Sequence, residues 1–440
     1  MNTYPSYKDS GVEWIGDIPS GWSSSKFKYI SNLFTGNSLN QNQKEQYESD
    51  DTSHISYVSS KDINVEYQTV NYNNGLRIPP TDNTLKVCKT KGFLLCVEGG
   101  SSGRKMTFLN EDVCFVNKLC CFESSQNTKY QYYFVQTSHF QSKFKISLTG
   151  LIGGVSISTL RNFEVPLPPL QEQQQISDYL DYKTSKIDTL LEKTRQKIEL
   201  LKEQRISLIN TTVTRGLNPN VEMKDSGVEW IGKIPSGWEV VKLKFVGNVV
   251  IGLSYSPDNV VDEGEGTLVM RSTNVQNGKP SFHDNVYVDK DIPDRMVTRE
   301  GDILICSRNG SRNLIGKNCI ISKDIEGMTF GVFMTIFRSK YWKLIYWVLN
   351  SPVFKSQSGL YLTSTINQLT VSTIKNLSIP FTFNESEQQQ IVDYLDKETS
   401  KIDKLVDIES KRIILLKEYR QSLISDVVTG KVDVRDEILV

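Results

Sequence analysis

The chain repeats itself, and that repeat constrains every other reading. Lys8–Trp22 reads KDSGVEWIGDIPSGW and Lys224–Trp238 reads KDSGVEWIGKIPSGW, identical at 14 of 15 positions with an offset of 216. A second match lies downstream of each tag. Glu172–Asp188 (EQQQISDYLDYKTSKID) aligns with Glu387–Asp403 (EQQQIVDYLDKETSKID), 14 of 17 identical at an offset of 215. The 440 residues are therefore two halves of about 215 residues in the same order. Solenoids stack units of ~20–50 residues. Two long units point instead to pseudo-twofold symmetry inside one chain. Each half is a short tag, a variable block of about 140 residues and a helical segment. Near-identical ends around unlike middles suggest one scaffold carrying two different readers.

The helical segments follow from periodicity. Gln171 to about Val213 contains no Gly or Pro, and its inward positions run 176, 180, 183, 187, 190, 194, 198, 201, 205 and 208. The equivalent series is 391, 395, 398, 402, 405, 409, 413, 416, 420 and 423. Both average about 3.6 residues per step, the helix period. Both are polar at the same three places: Lys183, Thr194 and Arg205, then Glu398, Glu409 and Arg420. At ~1.5 Å per residue the spacing predicts rods of ~60 Å. Such a helix has to bury its stripe on something. Ile176, Leu180, Ile187 and Leu201, with Ile391, Leu395, Ile402 and Leu416, are expected to carry helix packing, within the chain and against a partner. Polar residues inside the stripe fix register.

The blocks are only slightly basic: residues 23–160 hold 14 Lys/Arg against 11 Asp/Glu, and residues 239–374 hold 15 against 13. Acids are missing from Ser124–Leu160 and from Gly327–Ile374, where Lys129, Lys143, Lys145, Lys343 and Lys355 lie. A phosphate-facing surface tolerates carboxylates poorly, so these stretches are candidate DNA surfaces. Their aromatics, Tyr132–Phe134 and Tyr346–Trp347, read as the buried face of a helix. In each block an apolar strand, Phe93–Val97 or Ile303–Cys306, runs into a polar glycine loop. These loops hold Arg104 and Lys105 in one block, and Arg308, Asn309, Arg312 and Lys317 in the other. Glycine allows close backbone approach, and Arg and Asn can bind base edges bidentately in the major groove. A matched upstream stretch adds Lys61, Arg271 and Asn274. Neutralising Arg308 or Arg312 is expected to alter sequence preference. Neutralising Lys343 or Lys355 is expected mainly to lower the salt slope.

Composition excludes several classes. Lys plus Arg and Asp plus Glu both number 51, so a uniformly basic coat is ruled out. No run approaches the ~20 apolar residues of a membrane helix, and the polar start, Met1–Asp17, shows no signal peptide. Seven Cys without a C-x-x-C pair fit a reducing cytoplasm, and most sit in apolar runs that read as core. His residues at 54, 139 and 283 leave little for a metal site or a histidine base. Gly310–Lys317 has five residues between its glycines and Asn318 after the Lys, unlike a phosphate-binding loop. No dinucleotide-type glycine loop, adenine-methyltransferase tetrapeptide or metal-nuclease pattern is present. These absences favour a binder over a self-sufficient DNA-modifying or DNA-cleaving enzyme. The paired basic loops favour it over a protein-only coiled-coil scaffold.

The tags, the PLPPLQEQQQI stretch and the junction VTRGLNPNVEMKDSGVEWIG resemble the specificity subunit of type I restriction-modification systems, over nearly the whole chain. The resemblance implies an α+β chain with two tandem α/β target-recognition domains separated by two long antiparallel-packed helices. It implies domains at 1–165, 166–217, 218–380 and 381–440. It also implies double-stranded DNA as ligand, and two methyltransferase and two restriction subunits as partners. This chain would bind no cofactor or metal; S-adenosylmethionine, ATP and Mg would be used by the partners. One departure is visible: Pro168-Pro169-Leu170-Gln171 becomes Thr382-Phe383-Asn384-Glu385-Ser386, one residue longer.

Overall fold

The computed structural model describes residues 2–150, 153–361 and 367–437. The chain divides into two compact units, Met1–Arg195 with Ser410–Val440, and Gln196–Glu409. Each holds one variable block, built on the same plan.

In the first unit a four-stranded antiparallel sheet runs Ser31–Thr35, Leu119–Ser124, Phe93–Cys96, Met106–Phe108. In the second the order is Asn248–Ile251, Met334–Arg338, Ile303–Cys306, Asn318–Ile320. The strands alternate their side chains between two cores, as the period of two requires. Phe93, Leu95, Cys120 and Phe122 face the core shared with the helices, while Leu94, Cys96, Leu119 and Cys121 face a second core. Ile303, Ile305 and Phe337 repeat the first role, Leu304, Cys306 and Ile336 the second.

A second sheet covers that second core. Its shared centre is a parallel pair, Ile55–Val58 with Val113–Phe115 and Thr267–Met270 with Thr329–Phe330. An antiparallel neighbour flanks each pair, Arg77–Ile78 or Tyr287–Val288. The fourth strand differs. Val87–Cys88 adds beside Val113–Phe115 in the first block, whereas Val260–Val261 adds beside Tyr287–Val288 in the second. The blocks thus differ at the outer edge of this sheet. Cys88 and Cys121 are joined as a buried disulfide between the two sheets of the first block. This departs from the expectation of reduced cysteines, because strand pairing and not spacing brings the two together.

The long helices are Leu170–Arg215 and Glu385–Val428; the first lies within two residues of the expected Gln171–Val213, and the second spans the whole expected series 391–423. The spacers expected as domains of their own are instead shared out. The first helix gives residues 170–195 to the first unit and 196–215 to the second; the second helix gives 385–409 to the second unit and 410–428 to the first. The reason is the apolar stripe. Ile176 and Leu180 are fully buried in the first block's core with Leu423 and Ile424. Ile391 and Leu395 are buried in the second with Ile209 and Val213. Ile187, Leu201 and Ile402 are buried and Leu416 is half-buried.

Within each unit the two helix stretches run antiparallel, and three of the six polar stripe positions, Arg205, Glu409 and Arg420, pair across them. Arg420 Nε meets Asp188 Oδ1 at 2.9 Å in the first unit. Arg205 Nε meets Asp403 Oδ1 at 2.8 Å, and Lys197 Nζ meets the buried Glu409 at 2.6 Å, in the second.

The repeated tags form hairpins, Tyr7–Asp9 with Asp17–Pro19 and Met223–Asp225 with Lys233–Pro235. The tag Trp reaches the first turn of its own half's helix: Trp22 Nε1 donates to Glu172 Oε1 and Trp238 Nε1 to Glu387 Oε1, both at 3.0 Å. The departure between the halves appears here. Glu172 also accepts from Tyr4 Oη at 2.6 Å, whereas Glu387 accepts from Thr382 Oγ1 at 2.8 Å. Helix two ends on Gly430 at φ +76, where a Cβ would lie 2.4 Å from Pro19 Cδ, so only glycine fits.

Candidate nucleic-acid interface

In the second unit, strands Asn248–Ile251, Met334–Arg338 and Ile303–Cys306 point one common end at a cleft of about 1020 Å³. Four connections line it: Leu253–Pro257, Arg271–Thr273, Arg308–Gly310 and Gly331–Phe333. Two stretches that stood apart in the sequence are thereby brought together. Asn309 Nδ2 donates to Ser272 Oγ at 3.2 Å, and Lys317 Nζ to the Val275 carbonyl at 2.9 Å. Arg308 is exposed, its backbone N–H held by the Phe333 carbonyl at 3.0 Å and its guanidinium 5.2 Å from the Phe333 ring centroid. The ring itself is 53% exposed, a stacking surface with a cation over one face.

The other candidates divide into presenters and holders. Arg271 Nη2 pairs with Asp284 Oδ1 at 2.9 Å, and its buried Nε finds no partner among the described residues. Asn274 is fully buried: its Oδ1 accepts from Arg271 N and its Nδ2 donates to Ser281 O, both at 2.9 Å. It therefore shapes the loop instead of meeting a base. Arg312 is exposed, with Nη2 3.3 Å from the Gly359 carbonyl. Lys355 is exposed on helix Pro352–Tyr361.

The first unit repeats the arrangement. Lys105 Nζ donates to the Ser60 carbonyl at 2.5 Å, as Lys317 does to Val275. This ties the glycine loop to the turn Ser60–Asp62, where Lys61 is exposed. Arg104 is exposed and caps its own loop, Nη2 to Gly100 O at 2.6 Å. Gly103, at φ +75, lies against Phe144 of helix Ser138–Ile146, on which Lys143 is half-buried and Lys145 exposed.

Not every acid-free segment faces this way. Tyr133 Oη donates to Asp181 Oδ1 at 2.6 Å, and Lys129 Nζ meets Asp181 Oδ2 at 2.8 Å. Trp347 Nε1 donates to Asp396 Oδ1 at 3.1 Å. Part of each acid-free stretch therefore packs on carboxylates of a long helix, where a further acid would repel. Burial raises the Asp396 carboxyl above its usual value despite the indole bond. Lys343 lies in this part. Its neighbour Trp342 packs on Gly301, at the end of strand Ile303–Cys306 remote from the cleft, so the structure does not bring Lys343 to the cleft.

Sequence reasoning missed Phe333 and Tyr255 as cleft residues. Phe333 stands inside the acid-free stretch Gly327–Ile374 but not beside its lysines, and Tyr255 stands outside it; only strand pairing brings the two to the cleft. Burial pushes the thiols of Cys96 and Cys306 up and that of Cys114 to about 12, which makes them inert packing groups. Cys88, Cys121 and Glu123 group closely enough to hold an ion, but two of the three ligand atoms are sealed in the disulfide.

Known proteins share the sequence pattern and the fold of both halves. The family described as type I restriction modification DNA specificity domain matches residues 19–200 and again 235–419. The MjaVIII type I restriction enzyme specificity subunit of Methanocaldococcus jannaschii is 27% identical over 318 residues, 70% of this chain and 71% of that one. The EcoKI specificity subunit of Escherichia coli K12 is 25% identical over 209 residues, 46% of this chain and 44% of that one. The fold is shared with a chain solved in work on assembly and conformational transition of the type I system, at TM-score 0.68 and 16% identity, covering 94% of this chain and 99% of that one. It is shared also with the HsdS subunit of Thermoanaerobacter tengcongensis, at TM-score 0.50 and 16% identity, covering 94% and 98%. With two copies of the family's domain spanning both halves, the chain belongs to the type I restriction-modification DNA specificity family.

Proposed function

We propose that the chain reads a bipartite, asymmetric target on double-stranded DNA, one block per half-site, for a complex whose chemistry is done by other subunits. One observation carries the reading: both blocks present, at the same end of the same sheet, a basic glycine loop locked by a lysine to a second loop. Arg308 beside Phe333 offers a guanidinium for base edges and an apolar face for a thymine methyl. Because the outer strands differ, the two readers differ, and the target is asymmetric.

The partners are two methyltransferase subunits docked through the helices and two restriction subunits. The helices support this, because apolar side chains remain exposed on them: Leu190, Ile414 and Leu415 in the first unit, Leu200, Leu405 and Ile408 in the second. S-adenosylmethionine, ATP and Mg belong to those partners, and the complex works in the cytoplasm. The test is co-expression with the methyltransferase subunit encoded alongside, then single-molecule sequencing of host DNA. A split motif with one N6-methyladenine on each strand is expected. A stable complex that methylates no such motif, or methylation or cutting by the pure chain given DNA, Mg and S-adenosylmethionine, would overturn the reading.

A further inference from the structure

Tyr29 and Phe245 are 71% and 74% exposed, and they occupy equivalent positions, 216 residues apart. Single exposed aromatics need no explanation. The same one held out in both of two diverged blocks does. The support beneath each ring is also repeated. Phe27 and Ile30 flank Tyr29 and are buried; Leu243 and Val246 flank Phe245 and are buried. Phe27 N donates to the Phe163 carbonyl at 3.1 Å and Leu243 N to the Leu377 carbonyl at 3.0 Å. Each ring carries the preceding lysine over its face, Lys28 Nζ at 5.0 Å and Lys244 Nζ at 5.1 Å from the centroid. Both rings therefore stand on a buried, hydrogen-bonded base that fixes their backbone before binding.

Their surroundings are cationic. Tyr29 borders a shallow hollow of about 460 Å³ with Lys28 and Arg161; Glu123 also lines it. Phe245 has Lys242 and Lys244 beside it in sequence, and Ser339, next to Lys340, donates to the adjacent Val246 carbonyl. Their position argues against DNA. Tyr29 precedes Ser31 and Phe245 precedes Asn248, the strand ends paired with Ser124 and Arg338. The basic loops and the cleft lie at the opposite ends, beyond Cys96 and Cys306.

We propose that Tyr29 and Phe245 are equivalent protein-docking anchors, one per block, each inserting into an apolar pocket rimmed by carboxylates on one copy of a partner chain that binds twice. This contact is additional to the helices. It rests on the proposed function in two respects: DNA occupies the cleft end, and the partner used as probe is the methyltransferase subunit.

The experiment titrates the full-length chain with that subunit and follows stoichiometry by native mass spectrometry, with DNA affinity measured on the same samples. Tyr29→Ala is expected to weaken one of two binding steps by about tenfold or more, Phe245→Ala the other, and the double variant both. Tyr29→Phe keeps the ring and should bind as the parent does, whereas K28E with K244E should weaken both steps. Parent-like assembly by the double Ala variant overturns the proposal. So does loss of DNA affinity with assembly intact, which would make these rings a nucleic-acid surface. Arg308→Ala separates the two readings: unchanged DNA preference there counts against the cleft, while the assembly data still decide the anchors.

Discussion

Trp22 donates its indole N–H to Glu172 Oε1 at 3.0 Å, and this bond explains which parts of the chain repeat. The tag and the helix start are the two most similar stretches of the halves, and they meet each other. Both partners are buried, so removing the donor leaves an acceptor short of a bond. Trp22→Phe is expected to lower stability by ~1–3 kcal/mol, read from the denaturant midpoint at unchanged slope. Trp238→Phe should do the same to a smaller extent, because Glu387 is only half-buried. A loss below ~0.5 kcal/mol for both would mean that water replaces the indole.

The cleft divides the basic residues by role. Arg308→Ala and Phe333→Ala are expected to change relative affinity among DNA sequences, since both present surface to the cleft. Lys145→Ala and Lys355→Ala, exposed on helices beside the loops, should weaken all sequences alike and reduce the salt slope by about 0.9 for each phosphate no longer neutralised. Lys343→Ala should alter neither, because it lies at the far end of the sheet. Affinities of the assembled complex for its own and a scrambled target across a salt series distinguish these outcomes. A Lys343 effect equal to that of Lys355 would contradict the division.

Lys105 and Lys317 behave as clamps instead of phosphate contacts. Each amino group donates to a carbonyl of the neighbouring loop. Charge-assisted bonds of this kind contribute ~1.5–3 kcal/mol. Lys317→Met is thus expected to cost stability and loosen the cleft, with faster amide exchange at Arg271–Val275. A variant with parent stability but uniformly weaker DNA binding would restore the phosphate role.

Much of this was legible from sequence because it is local. The long helices followed from a 3.6-residue period, and the limits of the first differ from the expected ones by at most two residues. The buried aromatics Phe134 and Trp347 and the strands Phe93–Cys96 and Ile303–Cys306 followed from apolar runs. The missed features are non-local. Absence of acids around Lys129 looked like a phosphate surface, yet Asp181 of a helix lies 2.8 Å from its amino group. Arg308, Arg271 and Phe333 share one cleft only because three strands end together. Asn274 carries the right chemistry for adenine, but it is satisfied by backbone and by the Asn285 side chain.

His139 makes the first unit's stability depend on mild acid. It sits at the start of helix Ser138–Ile146, its Nδ1 buried with no partner among the described residues. Burial holds its pKa below the ordinary 6.5, and Lys431 lowers it further, while Asp426 opposes them. A base with a depressed folded pKa takes up its proton more readily in the unfolded chain. Well above pH 6.5 both states are neutral there, and the group has no effect on stability. As pH falls from that value towards the folded pKa, the unfolded state gains the proton first and stability declines. Below the folded pKa both states are charged and the loss is complete. The melting temperature of the parent is therefore expected to fall between pH 7 and pH 5 more than that of His139→Gln, which carries no titrating proton. Parallel melting curves for the two proteins across that range would show that the imidazole relaxes into water before it charges.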